Sequence, residues 1–286
     1  MTHTDSFDPV AFKEAQRTDW QNAAPGWRKW YDVLEAGGSV VSRKLVLLAG
    51  IGPGDSVLDV ATGYGEPALT AARVVGSTGR VVATDIAADL LGFGRERAAR
   101  AGLENIDFVA SDAETLRFAE EEFDAILSRQ GLQFLPDVLG TLRQFHRFLK
   151  RDGRLAFAVW GPPSSVEFAR PVSLIVEELE LPPPSPGLPG IFALADADRL
   201  TQLVADAGFH DVQTGTVTAV YETATPAQMT EWLRDVAPPI VNLLRGQSPE
   251  VRERIWHDVT EAWVPLTTTS GSVRTENQAI WVAATK

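Results

Sequence analysis

The segment Ser56–Ala68, SVLDVATGYGEPA, constrains the fold of this chain more than any other stretch. Val57, Leu58 and Val60 form a short apolar run with β-branched residues, which suits a buried strand. Ala61–Gly65 then turns into an Ala-rich helical stretch. Glycine at such a turn lets the backbone approach a ligand closely, and the helix start presents unpaired N–H groups to a polar or anionic group. A second apolar run, Arg80–Thr84, ends in Asp85, twenty residues past Gly65. At that spacing a carboxylate can accept hydrogen bonds from both hydroxyls of a bound ribose. The two signals together read as a nucleotide site.

Strand and helix signals alternate onward from this turn. Strands are predicted over 56–60, 80–84, 106–109, 123–127 and 154–160, and helices near 66–75, 87–101 and 137–149. Such βαβ units imply a parallel sheet covered on both faces, with ligands at the carboxyl ends of the strands. Asp59, Asp85, Asp112 and Ser128 would then open onto one crevice. Ahead of this region, Asp8-Pro9 starts a helix that runs to about Asn22, where Pro25-Gly26 is expected to break it. A second helix from Trp27 is expected to end near Gly37-Gly38, and a third spans 39–49. Beyond Trp160 come a helix near 165–180, the proline-rich segment 181–187 as a stiff loop or lid, and a helix over 196–207. A strand over 211–221, helices over 226–245 and 248–263, and a last strand over 275–284 complete the pattern. The fold class is therefore α/β, a doubly wound, seven-stranded, mostly parallel sheet with a helical cap.

The motifs carry a resemblance. Asp59-Val60-Ala61-Thr62-Gly63-Tyr64-Gly65 resembles the first motif of the class I S-adenosylmethionine-dependent methyltransferases, Asp-x-Gly-x-Gly-x-Gly, with alanine at its first glycine. Ser111-Asp112-Ala113-Glu114 is similar to the third motif, Phe123–Ser128 to the fourth strand, and Leu149–Leu155 to the turn into the fifth, with Arg151-Asp152 in place of Pro-Gly. The nearest flavour is the group that includes the ubiquinone and menaquinone C-methyltransferases. The resemblance implies a Rossmann-like methyltransferase fold, S-adenosylmethionine as cofactor and S-adenosylhomocysteine as product. It assigns Asp59 to the cofactor's amino group, Ala61, Thr62, Gly63 and Gly65 to its methionine portion, Asp85 and Ile86 to the ribose, and Asp112 and Ala113 to the adenine. Ser128 and Arg129 would leave the fourth strand toward the reactive methyl group. Asp59 capping the turn, and Asp112 as a solvated loop acid, stay open as bland readings.

One domain over 1–286 is expected, with a cap segment 1–45, a cofactor core 46–160, and a remainder 161–286 carrying cap insertions near 161–195 and 226–263. The absence of cysteine excludes disulfides, thiol catalysis and thiolate metal sites. A formal charge of −12 argues against nucleic acid, whose phosphates are held by clustered Lys and Arg. No run of 18 apolar residues and no basic leader is present, which predicts a cytoplasmic protein without membrane insertion. The expected partner is a small-molecule acceptor; the oligomeric state, a homodimer included, stays open.

On the acceptor side the residues speak less. Trp20, Trp27, Trp30 and Tyr31 concentrate aromatic surface ahead of the nucleotide fold, either as core packing or as a substrate-pocket lid. Gln130 could hydrogen-bond a substrate. Of His3, His146, His210 and His257, the last is the best candidate for a general base; no pair has metal-ligand spacing, so no metal site is expected. Gly63, Gly65 and Ala68 would also fit a nicotinamide dinucleotide. Tyr31, Tyr64 and Tyr221 are followed four residues later by Glu35, Ala68 and Thr225, which excludes the Tyr-x-x-x-Lys of short-chain dehydrogenases. Two function classes are carried: methyl transfer by in-line displacement to a planar or hydrophobic acceptor, and binding of the sulfonium cofactor without transfer.

Overall fold

The computed structural model describes residues 7–182, 185 and 187–286. The helices are α1 (Pro9–Lys29), α2 (Tyr31–Leu48), α3 (Ala68–Val75), α4 (Ala88–Arg100), α5 (Val138–Phe148), α6 (Ala169–Glu178), α7 (Ala197–Asp206), α8 (Pro226–Val236), α9 (Pro238–Val241) and α10 (Pro249–Ala262). The strands are β1 (Ser56–Val60), β2 (Arg80–Asp85), β3 (Ile106–Ala110), β4 (Phe123–Arg129), β5 (Leu149–Trp160), β6 (His210–Thr223) and β7 (Val273–Thr285). They form one sheet in the order β3-β2-β1-β4-β5-β7-β6. β1 to β5 run parallel and β7 antiparallel to both its neighbours. The expected seven-stranded, mostly parallel sheet is therefore the observed one.

Val57, Leu58 and Val60 are fully buried because β1 is central and covered on both faces. One core lies between the sheet and α2, α3 and the α8–α10 helices; the other lies under α5 and α7. The strand order reverses between β1 and β4, and the crevice opens at their carboxyl ends. β5 starts earlier than expected, at Leu149. The register shifts between Phe123 and Ala125, where the partner strand bulges. Asp152, standing where the motif has glycine, takes φ 61°, a conformation that Asp tolerates better than most residues.

Two expected helix ends are corrected. α1 runs unbroken past Pro25 and Gly26, and α2 passes through Gly37 and Gly38. Pro25 is exposed on α1, so the carbonyl it leaves unpaired can turn to water, while Ala23 and Ala24 are buried beside it. The glycines are contact points: a Cβ on Gly26 would overlap the Asp235 carbonyl, one on Gly37 the Tyr221 ring, and one on Gly38 the Arg129 guanidinium. The real break is at Trp30. Of the proline-rich loop, Pro183, Pro184 and Pro186 lie outside the described residues, as do His3 and the polar leader.

Candidate functional site

The glycine turn is held from below. Asp59 is fully buried; its Oδ2 accepts from Thr62 Oγ1 at 2.5 Å and from Ala68 N–H at 2.8 Å, tying β1 to the start of α3. Burial lifts its carboxyl to about 7, against the pull of the Thr62 and Ala68 bonds and of Arg129. Asp59 is not among the cleft-lining residues; its Oδ2 caps the turn and its Oδ1 is buried without a partner. Arg97, also buried, donates to the Tyr64 carbonyl at 2.9 Å and to Tyr31 Oη at 2.9 Å, and pairs with Glu66 at 3.3 Å. Gly63 and Gly65 adopt φ 56° and 97°, as the turn requires. Ala61 adopts φ 58°, a conformation costing an L-residue about 1–2 kcal/mol. Room for its methyl group comes from Gly131, where a Cβ would overlap the Ala61 Cβ.

At the end of β2, Asp85 Oδ2 accepts Gly63 N–H at 2.8 Å and Oδ1 accepts Ala87 N–H at 2.8 Å. Burial raises its carboxyl to about 6, opposed by these backbone bonds. A carboxylate offers about four lone-pair positions, so Asp85 keeps acceptor capacity toward the cleft it lines. Asp112 Oδ1 accepts Glu114 N–H at 2.9 Å, while its Oδ2 pairs with Lys13 Nζ at 2.8 Å. Asp112 is therefore not a solvated loop acid; it is mostly buried against α1.

One cleft collects these groups. Ala61, Thr62, Gly63, Asp85, Ile86, Asp112, Ala113, Arg129 and Gln130 all line it, as do Trp20 and Trp27. It holds about 1560 Å³ of non-atom space, its open mouth included. Other expected residues fall outside. Gly65 and Ser128 lie behind the wall, Ser128 fully buried with its hydroxyl unpartnered. Trp30 donates Nε1–H to Asp235 at 2.8 Å, and Tyr31 packs edge-on against Tyr64 and Phe93. Both therefore stabilise helix packing and not a substrate. His257 sits on the exposed face of α10, away from the cleft, because Ile255, Trp256 and Val259 turn the other faces inward. It is no general base. Among the described residues no group of acids and histidines could hold a metal ion, and no helix is long and apolar enough to cross a membrane.

Sequence reasoning missed Lys13, Gln16, Phe134, Trp160, Phe168, Tyr221 and Trp232, which also line the cleft. A signal existed for the first two. Lys13, Gln16, Trp20 and Trp27 follow helical spacing on one face, visible only once α1 is read as unbroken. The residues from β5, β6 and α8 come from elements whose approach no local pattern announces.

Gly63 packs directly against the Trp27 ring, where a Cβ would stand 3.3 Å from it. Spare acceptor positions at Asp85 sit on the ribose side, and the Asp112–Ala113 loop lies at the next strand end.

This sheet order, turn and cleft resemble those of the class I S-adenosylmethionine-dependent methyltransferases. Within that class, residues 41–174 match the model of the ubiE/COQ5 methyltransferase family. The ubiquinone/menaquinone biosynthesis C-methyltransferase UbiE of Pseudomonas putida is 36% identical over 136 residues, 47% of this chain and 53% of that protein. The chain thus spans about half the length of the curated relatives it matches. Among solved structures, the YcgJ protein of Bacillus subtilis superposes with TM-score 0.58 at 18% identity, over 87% of this chain and 98% of that one. A phosphoethanolamine N-methyltransferase of Haemonchus contortus, solved with S-adenosyl-L-methionine, superposes with TM-score 0.58 at 17% identity, over 100% of this chain and 61% of that one. The structural likenesses establish the fold.

Proposed function

We propose that the chain transfers a methyl group from S-adenosylmethionine to a small, planar or hydrophobic acceptor. The observation that carries this reading is the continuity of one cleft from Asp112 and Asp85, past the glycine turn, to an aromatic chamber of Trp160, Phe168, Tyr221 and Trp232. When bound, S-adenosylmethionine supplies an electrophilic methyl group on sulfur. Asp85 would accept from the ribose hydroxyls, Asp112 and Ala113 would flank the adenine, and the backbone at Ala61 and Gly63 would lie along the amino-acid chain. Gln130, at φ 61° after β4, turns its side chain to the cleft. Its Nε2 is buried without a protein partner, a donor that an acceptor seated beside it would satisfy.

The protein's contribution is alignment and exclusion of water. Effective molarities of well-oriented reactants can be worth about 7–11 kcal/mol, so no dedicated base is required. Among the described residues no histidine lines the cleft, and an acceptor that binds already deprotonated needs no base there. The same reading takes the acceptor to be met in the cytoplasm, and the oligomeric state is left to measurement.

Thermal unfolding tests the cofactor. S-adenosylhomocysteine should raise Tm, by the equivalent of about 2.7 kcal/mol at a hundredfold excess over Kd, while NAD and NADP should not. A shift with NAD alone would overturn the assignment. Transfer itself is tested by mass spectrometry of small acceptors incubated with labelled S-adenosylmethionine. S-adenosylhomocysteine binding without any methylated product would leave the non-transferring class.

A further inference from the structure

Every charged residue lining the cleft is neutralised or tied by the protein, with one exception. Lys13 is held by Asp112 and Glu114, Glu66 by Arg97, and Asp85 by backbone N–H groups. Arg129, at the end of β4, donates Nη1–H to Ser42 Oγ at 3.0 Å and Nη2–H to Tyr64 Oη at 2.7 Å. Both partners are neutral hydroxyls. Among the described residues no carboxylate forms a salt bridge with Arg129; the two nearby acids, Glu35 and Glu66, are turned to Arg97 at 3.6 and 3.3 Å. A guanidinium carries five N–H donors and stays protonated, so Arg129 brings a fixed positive charge and spare donors to the cleft.

Its neighbours repeat the pattern. Gln130 Nε2 is buried without a partner. Tyr221 lines the same chamber, and among the described residues its hydroxyl makes no hydrogen bond. Gly38 completes the pocket: its bare Cα is what lets α2 pass over the guanidinium. Arg129 thus has no charged acceptor, and Gln130 Nε2 and the Tyr221 hydroxyl have none among the described residues, in an apolar chamber where an unsatisfied donor or charge is costly.

We propose that Arg129, Gln130 and Tyr221 form an oxyanion-binding subsite at the floor of the cleft, occupied by a negatively charged oxygen. This deepens the reading above and rests on it. Two molecules could bring that oxygen: the acceptor, as a carboxylate or phenolate beside the atom that is methylated, or the cofactor, through the carboxylate of its amino-acid end. An acceptor bound as its anion would also explain why the cleft needs no general base.

The test uses the full chain, wild type and the variants Arg129→Gln, Arg129→Lys and Tyr221→Phe, by calorimetric titration. Probes are S-adenosylhomocysteine, its decarboxylated form and, on the loaded protein, benzoate against benzamide and 4-nitrophenolate against nitrobenzene. If the acceptor brings the anion, wild type should bind the charged probe at least about tenfold more tightly than its neutral isostere. Arg129→Gln should erase that preference and Arg129→Lys should keep part of it. If the cofactor brings it, decarboxylation should weaken binding by a similar factor in wild type and by nothing in Arg129→Gln. Either result supports the subsite and identifies its occupant. Absence of both preferences in wild type overturns it, a measurement that stands even where Arg129→Gln does not fold. Failure of the cofactor reading looks different: S-adenosylhomocysteine would not bind wild type at all, and the anion preference would then be read on the free protein.

Discussion

Lys13 Nζ lies 2.8 Å from Asp112 Oδ2 and 2.8 Å from Glu114 Oε2, so the first turns of α1 are fastened to the loop after β3. That loop is where the adenine of a bound cofactor would rest. The other end of the helix is fastened too, through Trp27 Nε1–H to the Val236 carbonyl at 2.9 Å and Trp30 Nε1–H to Asp235 at 2.8 Å. α1 is therefore a strap across the cofactor half of the cleft, held at both ends to elements far away in sequence.

Releasing one end should change rates more than affinity. Lys13→Met removes a part-buried pair worth about 1 kcal/mol or less per partner, and it leaves Trp20 and Trp27 in place. Stopped-flow displacement of S-adenosylhomocysteine should show dissociation several-fold faster, with Kd weakened less than about tenfold, roughly 1.4 kcal/mol. An unchanged dissociation rate would mean that α1 does not gate the site.

The contact glycines give a prediction whose sign is diagnostic. In a free helix, Gly→Ala stabilises by about 0.8–1 kcal/mol. Gly92 in α4 has nothing within 4 Å of a built Cβ, so Gly92→Ala should gain about that amount. At Gly26 the same methyl group meets the Asp235 backbone, and overpacking of this kind costs about 1–3 kcal/mol. Gly26→Ala should therefore destabilise in urea titration while Gly92→Ala stabilises. If both stabilise, the close approach of α1 to α8 is not what holds glycine there.

These glycines also mark where the sequence stops being readable. Gly63, Gly65 and Asp85 were legible because strand, turn and strand end are local, and local chemistry decides them. Gly26 and Gly37 have the same local signature as helix terminators, and only the Asp235 carbonyl and the Tyr221 ring, about 200 and 180 residues away, explain them. The error propagated: with a break placed at Pro25-Gly26, the stripe Lys13, Gln16, Trp20, Trp27 was divided, and Trp30 and Tyr31 were grouped with it. Asp59 misled for another reason. Its Oδ2 is bonded to Thr62 and Ala68 of the turn, while its Oδ1 is buried without a partner.

Two buried carboxyls set the pH response. Burial raises Asp59 to about 7 and Asp85 to about 6, above the ordinary value of about 4 of the unfolded chain. As pH rises past that value the unfolded chain releases these protons first, so the native state binds more protons and loses stability up to about pH 7. Other titrating groups add their own slopes, so the readout is a difference: Asp59→Asn should flatten the loss between pH 4 and 7 relative to wild type in chemical denaturation. Cofactor affinity should run the other way. Accepting from ribose hydroxyls favours ionised Asp85, so S-adenosylhomocysteine should bind more tightly at pH 7.5 than at pH 5, a dependence that Asp85→Asn abolishes.

For the aromatic residues of α1 the sequence leaves core packing and a substrate-pocket lid open; their surroundings point to the cofactor side of the cleft. Trp27 packs on Tyr64 of the glycine turn with ring centroids 5.5 Å apart, and its ring faces Gly63. Trp20 stands edge-on to Trp27 and packs with Ala87 and Leu90, just past Asp85. The chamber of Trp160, Phe168 and Tyr221 lies on the other side of Gln130 and is formed by β5, β6 and the segment before α6. Trp27→Ala removes the wall opposite the turn, and truncating a large aromatic in such a position costs about 2 kcal/mol or more of binding. It should weaken S-adenosylhomocysteine at least tenfold, in a protein whose fold is checked by circular dichroism. Tyr221→Phe keeps the ring against Gly37 and removes only a hydroxyl; where the acceptor brings the anion to Tyr221, the change should leave S-adenosylhomocysteine affinity within about twofold while lowering kcat/KM for transfer by about tenfold, the loss of one hydrogen bond to a charged group. Titration and a single-turnover assay on the same two samples separate the halves of the cleft. Trp27→Ala with full cofactor affinity and impaired transfer would return α1 to the acceptor side.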